Sequence, residues 1–185
     1  AQDADLAALR IGDVVHLDGV VFTAREGAYK RILGDGIEPP VALTSLSNVN
    51  VHCSPAASVE NGKPTVGAVT ATASFRFSQW MEAWFEISGV KVIIGKGGMS
   101  SKDYKRYFVP NRAIYLTTVG YGTGALLGRG VENVEAVHWA EELGMAQAMW
   151  VLRCREMGPF IVASDLDGNC LFERENAKIA PGLAA

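Results

Sequence analysis

Short runs of valine and isoleucine, each ended by glycine or a polar residue, divide the chain into predicted strands. The clearest run covers residues 90–94, stops at Gly95 and is followed by Lys96. So apolar a run is typical of a strand buried on both faces of a parallel sheet. We expect Lys96 at the carboxyl end of this strand, where ligands bind in open α/β sheets, with glycines on both sides that admit a ligand. A surface lysine in a glycine-rich turn is the alternative.

The same pattern predicts most of the remaining strands. We expect strands over residues 49–53, 65–69, 113–118, 134–139, 148–154, 160–164 and 170–173. Residues 13–23 predict two short strands or a hairpin, with Asp18-Gly19 as the turn. Asn61-Gly62-Lys63-Pro64 predicts a tight hairpin turn within residues 51–69, and Asp167-Gly168-Asn169 predicts a turn between the last two strands.

Helical periodicity first occurs at residues 28–33, where Thr23 is placed to cap the amino end. Arg25 then falls in the first turn, where a cation is unfavourable for the helix dipole, which indicates an anionic ligand or a salt bridge. A solvated arginine is the alternative. Ser100 and Asp103 resemble a capping box that opens a helix to about residue 109. A short helix is expected over residues 125–129, and residues 34–47 read as a loop.

The most amphipathic helix is expected to begin near Ser74. Its aromatic stripe is typical of a core or subunit interface rather than of a cofactor site. The stripe consists of Phe77, Trp80, Met81, Trp84 and Phe85. Thr72 and Arg76 lie four positions apart, so they can meet on one face of the first turn or across the loop before it.

A second glycine-rich turn, residues 120–124, follows the predicted strand 113–118. Its backbone amides could hold a carboxylate or phosphate. It lacks the spacing and the downstream acid of a dinucleotide fingerprint. A stand-alone anion-binding domain centred on Lys96 and this turn is therefore one hypothesis.

Composition and charge argue against some classes of partner. The 185 residues, 49% of them hydrophobic, suffice for one domain with a sizeable core. A net charge of −3 with no basic block argues against nucleic acid or an anionic membrane as the partner and favours a small ligand or a protein. No membrane span or secretory leader is evident in residues 1–10.

The spacing of the cysteines and histidines does not indicate a metal site or a catalytic role. Cys53, Cys154 and Cys170 are odd in number and far apart, which favours buried thiols in a reducing compartment, hence the cytoplasm. Their spacing matches neither a zinc nor an iron-sulfur site, and no metal site is predicted in this chain. The three histidines are expected to be packed rather than catalytic. They are His16, His52 and His138.

Several of these segments together match one family in order and spacing. They are residues 11–15, Thr23-Ala24-Arg25 with Lys30-Arg31, Thr72 with Arg76, residues 89–99, Val137-His138-Trp139, residues 143–145, and residues 158–162 leading to Asp167-Gly168-Asn169. Over nearly its whole length the chain resembles the β subunit, or carboxy-terminal domain, of class I iron-sulfur hydro-lyases, the fumarase and L(+)-tartrate dehydratase family. The tail is most similar to the tartrate dehydratase branch.

The resemblance implies an α/β fold, a swivelling β/β/α domain with a mixed sheet and flanking helices. It implies one domain over residues 1–185, with residues 1–10 as a lead-in and 174–185 as a tail. It also implies half of an active site, completed by an α subunit whose three cysteines hold a [4Fe-4S] cluster, in a heterodimer or heterotetramer.

The resemblance also assigns roles to individual residues. Arg25, Arg76, Lys96 and Gly97 would bind the carboxylates of a fumarate- or tartrate-like 2-hydroxydicarboxylate, with Lys96 also catalytic. Thr72 would take part in proton abstraction, either as the base or as a relay to a partner carboxylate.

Departures from the family pattern leave the substrate open. The usual Gly-Pro-Thr-Thr-x-x-Arg is Thr70-Ala71-Thr72-Ala73-Ser74-Phe75-Arg76 here, Phe75 and Phe77 are bulkier than expected, and the family's histidine is Tyr29. The family's Gly-Pro after the second strand is Ser54-Pro55. The chain could act on a bulkier, more apolar hydroxy acid. It could also be a non-catalytic assembly module that uses Trp80, Trp84 and Phe85 as its interface.

Overall fold

Eight strands carry the apolar runs of the chain in the computed structural model, which describes residues 1–60, 63–120 and 122–179. The strands are β1 (Val14–Thr23), β2 (Val49–Val51), β3 (Cys53–Glu60), β4 (Lys63–Ala71), β5 (Val92–Gly95), β6 (Ile114–Thr118), β7 (Val131–His138) and β8 (Met149–Ser164).

Short helices connect these strands. They are α1 (Asp3–Ala8), α2 (Glu26–Tyr29) continued by a π-helical turn over Lys30–Gly34, α3 (Leu43–Leu46), a 3₁₀ segment over Ser74–Trp80 that leads into α4 (Met81–Ser88), α5 (Ser101–Asp103) continued by a π-helical turn over Tyr104–Phe108, α6 (Gly124–Arg129), α7 (Ala140–Leu143) and α8 (Leu171–Ile179). Among the helices of the described ranges, none has the length and apolar character needed to cross a bilayer.

One mixed sheet organises the molecule. β1, β2, β5 and β6 run parallel in that order, β8 pairs antiparallel with both β6 and β1, and β7 joins β8. Five strands therefore close on one another into a partly barrel-like sheet, while β3 and β4 form a separate hairpin. The predicted mixed α/β sheet with flanking helices is confirmed. The carboxyl ends of the four parallel strands meet at one edge.

Burial on both faces explains why the strands read as nearly continuous apolar runs. Along β5, Ile93 packs with the aromatic cluster of the helices, whereas Val92 and Ile94 belong to a second cluster on the other face. Tyr115 and its neighbour Leu116 divide in the same way on β6. The strand predicted before Lys96 is confirmed, and every residue of β5 is buried.

The aromatic stripe that was expected after Ser74 is core. Trp84 is fully buried and Phe85 is 3% exposed. The Trp84 indole nitrogen donates to Asn50 Oδ1 at 3.2 Å. The assembly interface expected on Trp80, Trp84 and Phe85 is therefore wrong for Trp84 and Phe85, because both side chains pack inside the chain itself, and Trp80 is partly buried against the same cluster.

Two predicted pairs of strands are single strands. β1 continues through Asp18-Gly19, where its register with β8 shifts and Gly19 has a φ of 110°. A glycine at positive φ allows a bulge without ending the pairing, so the predicted turn is wrong. β8 likewise continues through residues 155–159, because Met157 pairs with Leu17 of β1.

The carboxy-terminal prediction also fails in part. Residues 171–173 form the first turn of α8 and Cys170 directly precedes it, so residues 170–173 are not a strand. The turn before them is held by the Asp165 carboxylate. That carboxylate accepts from the Asp167 and Asn169 main-chain nitrogens at 3.1 and 3.2 Å. The turn itself is as expected. The predicted tail begins inside α8, and residues 180–185 lie outside the described residues.

Three helix predictions are confirmed, with one cap corrected. Helices occupy the segments expected at residues 28–33, 100–109 and 125–129, and Ser100 with Asp103 forms the predicted capping box. Arg25, not Thr23, occupies the amino-terminal cap of α2. The Thr23 hydroxyl is instead bonded to the main chain of β8 at Trp150 and to Ala148. The predicted loop 34–47 contains α3. The predicted β3–β4 hairpin is present, but Asn61 and Gly62 of its turn lie outside the described residues.

Candidate functional site

The predicted site residues lie at the edge where the four parallel strands end. Of these, Arg25 follows β1 by two residues and Lys96 directly follows β5. The ends of the other two parallel strands are followed by His52, directly after β2, and by Gly120, after β6. Carboxyl ends of neighbouring parallel strands share one edge, so chain segments distant in sequence are brought together here.

Thr72 joins this edge through main-chain hydrogen bonds. Its nitrogen donates to the His52 carbonyl at 2.6 Å, and its own carbonyl accepts from the Lys96 nitrogen at 3.0 Å. Ala73 and Lys96 also form an isolated parallel bridge. The segment after β4 is thus fastened between the ends of β2 and β5, and Thr72 is adjacent to Lys96.

The two arginines lie close enough to affect one another. Burial lowers the pKa of Arg25, and the Arg76 charge lowers it further, while the Cys53 thiol and the Glu26 carboxylate oppose the shift. Arg25 Nη1 donates to Ser54 Oγ and to the Ala146 carbonyl. Two neighbouring guanidiniums at one edge favour an anionic ligand.

Glu26 is the acidic partner within this group. Its carboxylate pairs with Arg76 at 2.7 Å, and both side chains are about half exposed. The sequence indicated either an anionic ligand or a salt bridge beside Arg25, and the structure supplies an ion pair at the next residue. Any anionic ligand at Arg76 would compete with Glu26.

Lys96 is exposed and lines two cavities. One, of about 300 Å³, also includes Thr70, Thr118 and the glycines of the turn after β6. The other, of about 480 Å³, includes Gly97 and the exposed rings of Phe75 and Phe172. Gly97 has a φ of 68°, and no described atom lies within 4 Å of the position of an added Cβ. Lys96 therefore links the glycine-rich turn to an apolar wall.

The two phenylalanines that depart from the family pattern have different environments. Phe77 is 1% exposed and packs against the rings of Tyr29 and His52. Phe75 is 65% exposed and lines the larger cavity with Lys96. Of these two departures, only Phe75 is placed to contact a ligand.

Sequence reasoning missed a group of buried polar side chains beneath this edge. His52 Nδ1 lies 2.7 Å from Ser74 Oγ, and its Nε2 lies 2.6 Å from the Tyr29 hydroxyl. Tyr115 donates to Ser74 Oγ at 2.7 Å. Burial, followed by the Arg25 charge, lowers the pKa of His52 to about 3, so the ring is neutral. Its position directly after the apolar run of β2, like that of Lys96 after β5, was the available signal.

Metal donors are not grouped in the described part of the chain. Within residues 1–60, 63–120 and 122–179, no three His, Cys, Asp or Glu side chains are placed to hold a metal ion. Cys53, Cys154 and Cys170 are free and buried. Burial raises the pKa of Cys53 to about 12, which disfavours the thiolate that a cluster needs. These residues do not fit an iron-sulfur cluster.

Comparison with known proteins bears on this geometry. The family model described as Fumarase C-terminus matches residues 1–175. The chain is 33% identical to the putative L(+)-tartrate dehydratase subunit beta of Methanocaldococcus jannaschii, covering 95% of this chain and 89% of that protein. It is 32% identical to the L(+)-tartrate dehydratase subunit beta of Escherichia coli, covering 95% and 84%.

A longer relative matches as well. The chain is 31% identical to the putative fumarate hydratase class I of Geobacillus stearothermophilus over 89% of this chain and 31% of that protein. The resemblance found in the sequence is confirmed by these matches.

Proposed function

The chain belongs to the Fumarase C-terminus family, among tartrate dehydratase β subunits and class I fumarate hydratases, and from this we propose that it is the β subunit of a hydro-lyase. Its substrate is a fumarate-, tartrate- or related 2-hydroxydicarboxylate. The observation that carries the proposal is the grouping of Arg25, Arg76, Thr72 and Lys96 at one edge of the sheet.

The reaction requires cations at this edge. In dehydration, the C–H bond next to a carboxylate breaks and its proton passes to a base. The electron pair of that C–H bond forms the double bond as the neighbouring C–O bond breaks, and the oxygen leaves as hydroxide, which takes up a proton from solvent to become water. Negative charge accumulates on the carboxylate during proton removal, so preplaced cations stabilise the transition state more than the ground state. We assign Arg25, Arg76 and Lys96, with the Gly97 main chain, to the substrate carboxylates.

We assign to Thr72 a role in removing the substrate proton. Its main chain is fixed on both sides by His52 and Lys96, which limits the positions that its hydroxyl can occupy. A threonine hydroxyl is a poor base unless its pKa falls, and the nearby positive charges have the sign that lowers it. Thr72 acts as the base itself or relays the proton to a carboxylate of the partner subunit.

The partner subunit supplies the rest of the site. The cations lie on an open edge rather than inside one enclosed cavity, and the described residues of this chain do not group metal donors. We assign a [4Fe-4S] cluster to an α subunit, where one iron would act as Lewis acid for the substrate hydroxyl. The two chains form a heterodimer or heterotetramer, and the buried free thiols favour the cytoplasm.

A bulkier hydroxy acid is the second candidate substrate. Phe75 is 65% exposed beside Lys96, and Phe172, at 39% exposed, lines the same cavity. An apolar wall next to a carboxylate-binding lysine suits a substrate with an apolar substituent better than a fully polar one.

The test is anaerobic co-expression with the cluster-bearing partner, followed by assays on fumarate, tartrate, citramalate and mesaconate. We expect turnover of at least one compound, and a loss of about 10²- to 10³-fold in Lys96→Ala, the usual cost of one transition-state contact. Lys102→Ala, an exposed lysine on α5, is the matched control and keeps full activity. Undiminished turnover in both Lys96→Ala and Thr72→Ala would refute the proposed site.

A further inference from the structure

A chain of buried polar groups runs directly beneath the proposed site. Every side chain in it is fully buried, although such groups lower stability unless each one is hydrogen-bonded. Its members, in order, are Tyr115, Ser74, His52, Tyr29, Asn50 and Trp84.

The hydrogen bonds that join these six side chains allow one consistent arrangement of protons. Trp84 has only a donor, so Asn50 must turn Oδ1 towards it, and that oxygen lies 2.9 Å from the Tyr29 hydroxyl. Two oxygens so close need a proton between them, so Tyr29 donates to Asn50. The Tyr29 oxygen then accepts from His52 Nε2–H.

The direction of the remaining hydrogen bonds follows from that His52 tautomer. With its proton on Nε2, His52 accepts at Nδ1 from the Ser74 hydroxyl, and Ser74 in turn accepts from Tyr115. From Tyr115 to Asn50 each group donates to the next, Trp84 donates to Asn50 from the opposite end, and each of these buried protons has an acceptor. A neutral imidazole completes the chain, in agreement with the lowered pKa of His52.

His52 also holds the site through its main chain. Its carbonyl accepts from the Thr72 nitrogen, and its ring binds Ser74, two residues further on. No space is left between Ser74 and β5, because a Cβ on Gly95 would lie 2.0 Å from Ser74 Oγ. Residues 72–74 are therefore fastened at both ends by one histidine.

On the basis of the proposed function, we propose that the His52–Ser74 hydrogen bond positions Thr72 against Lys96 for proton transfer. Tyr115 and Tyr29 select the tautomer that makes this bond. His52 and Ser74 are positioning residues that do not touch the substrate. Misplacement by about 1 Å costs on the order of 10²-fold in rate, so the effect should fall on kcat.

The test compares Ser74→Ala with Ser88→Ala in the complex with the partner subunit. Ser88 is a matched control: it is also buried, and its hydroxyl donates to the Trp84 carbonyl in α4. We expect Ser74→Ala to lower kcat about 10²-fold with KM changed less than about threefold, and Ser88→Ala to leave both within about twofold. Equal kcat in the two variants would overturn the proposal.

Two measurements on the chain without its partner keep this test separate from the proposed function. Amide hydrogen exchange at Thr72 and Lys96 should accelerate in Ser74→Ala and not in Ser88→Ala, whereas equal exchange in both would refute the positioning role. The ¹⁵N shifts of His52 should show the Nε2–H tautomer, and an Nδ1–H tautomer would refute it too. The tautomer is measured on the wild-type chain, so it tests the proposal even if Ser74→Ala does not fold.

Discussion

Gly95, the last residue of β5, is the position where the packing of the site is tightest. An alanine there would place its Cβ 2.0 Å from Ser74 Oγ, 2.6 Å from the Tyr115 hydroxyl and 3.1 Å from the Thr72 carbonyl. Contacts of 2.0 and 2.6 Å are not tolerated, so Ser74 must rotate away or the strand must shift. The single added methyl group therefore breaks the hydrogen bonds that Ser74 makes.

The cost can be worked from those contacts. Loss of the two buried hydrogen bonds of Ser74 costs about 1 kcal/mol each. Strain from overpacking costs about 1–3 kcal/mol, and the better strand propensity of alanine returns about 0.5–1 kcal/mol. We expect Gly95→Ala to lower the free energy of unfolding by about 2–4 kcal/mol, which lowers Tm by about 5–15 °C at this chain length.

The assay is urea unfolding followed by tryptophan fluorescence, with Gly67→Ala in β4 as the matched control. A Cβ at Gly67 would have the Ala56 carbonyl oxygen as its nearest neighbour, at 3.9 Å. We expect Gly67→Ala to change stability by less than about 1 kcal/mol. If Gly95→Ala costs no more than the control, the close packing of Ser74 against β5 is refuted.

Three further predictions concern charge and protonation. Glu26→Gln removes a carboxylate that competes for Arg76, so KM for the dicarboxylate should fall about two- to fivefold, with a stability change below about 1 kcal/mol since the pair is half exposed. A raised KM in steady-state assays would contradict this. The pKa of His52, about 3, lies below the unfolded value of about 6.5, so the unfolded state binds the extra proton between these values. Stability should fall as pH drops through this window, by about 2 kcal/mol from pH 7 to 5; urea titrations of wild type should show this slope and those of His52→Gln a shallower one, whereas equal slopes would contradict it. Burial raises the pKa of Cys53 and Cys154 to about 12, so neither should react with iodoacetamide at pH 8 before urea unfolds the chain, as mass spectrometry of the labelled protein can check.

The features that were predicted correctly depend on local patterns. A strand buried on both faces must be apolar throughout, so β5 and the position of Lys96 at its end could be read from five residues. The stripe that includes Trp84 has helical spacing for a similar reason, because one face of α4 packs on the sheet.

The features that were missed depend on partners distant in sequence. β8 continues across residues 155–159 because β1 pairs with it there, and nothing local shows this. Residues 170–173 are too few for periodicity to separate a strand from the first turn of α8. His52 acquires its role only when Ser74 and Tyr29 reach it from other elements. The assignments of Arg25, Arg76, Thr72, Lys96 and Gly97 to substrate stay predictions.

The pairing of β1 with β8 has a consequence for how the chain reaches this structure. The Thr23 hydroxyl at the end of β1 bonds to the Ala148 carbonyl, 125 residues later. Contacts of such high contact order slow folding, because the intervening loop must be closed before the contact forms. During synthesis, β1 cannot pair with its antiparallel neighbour until residues 149–164 have left the ribosome. A truncated product that stops before Met149 would expose the edge of β1 and lack this neighbour, which makes such fragments prone to aggregate.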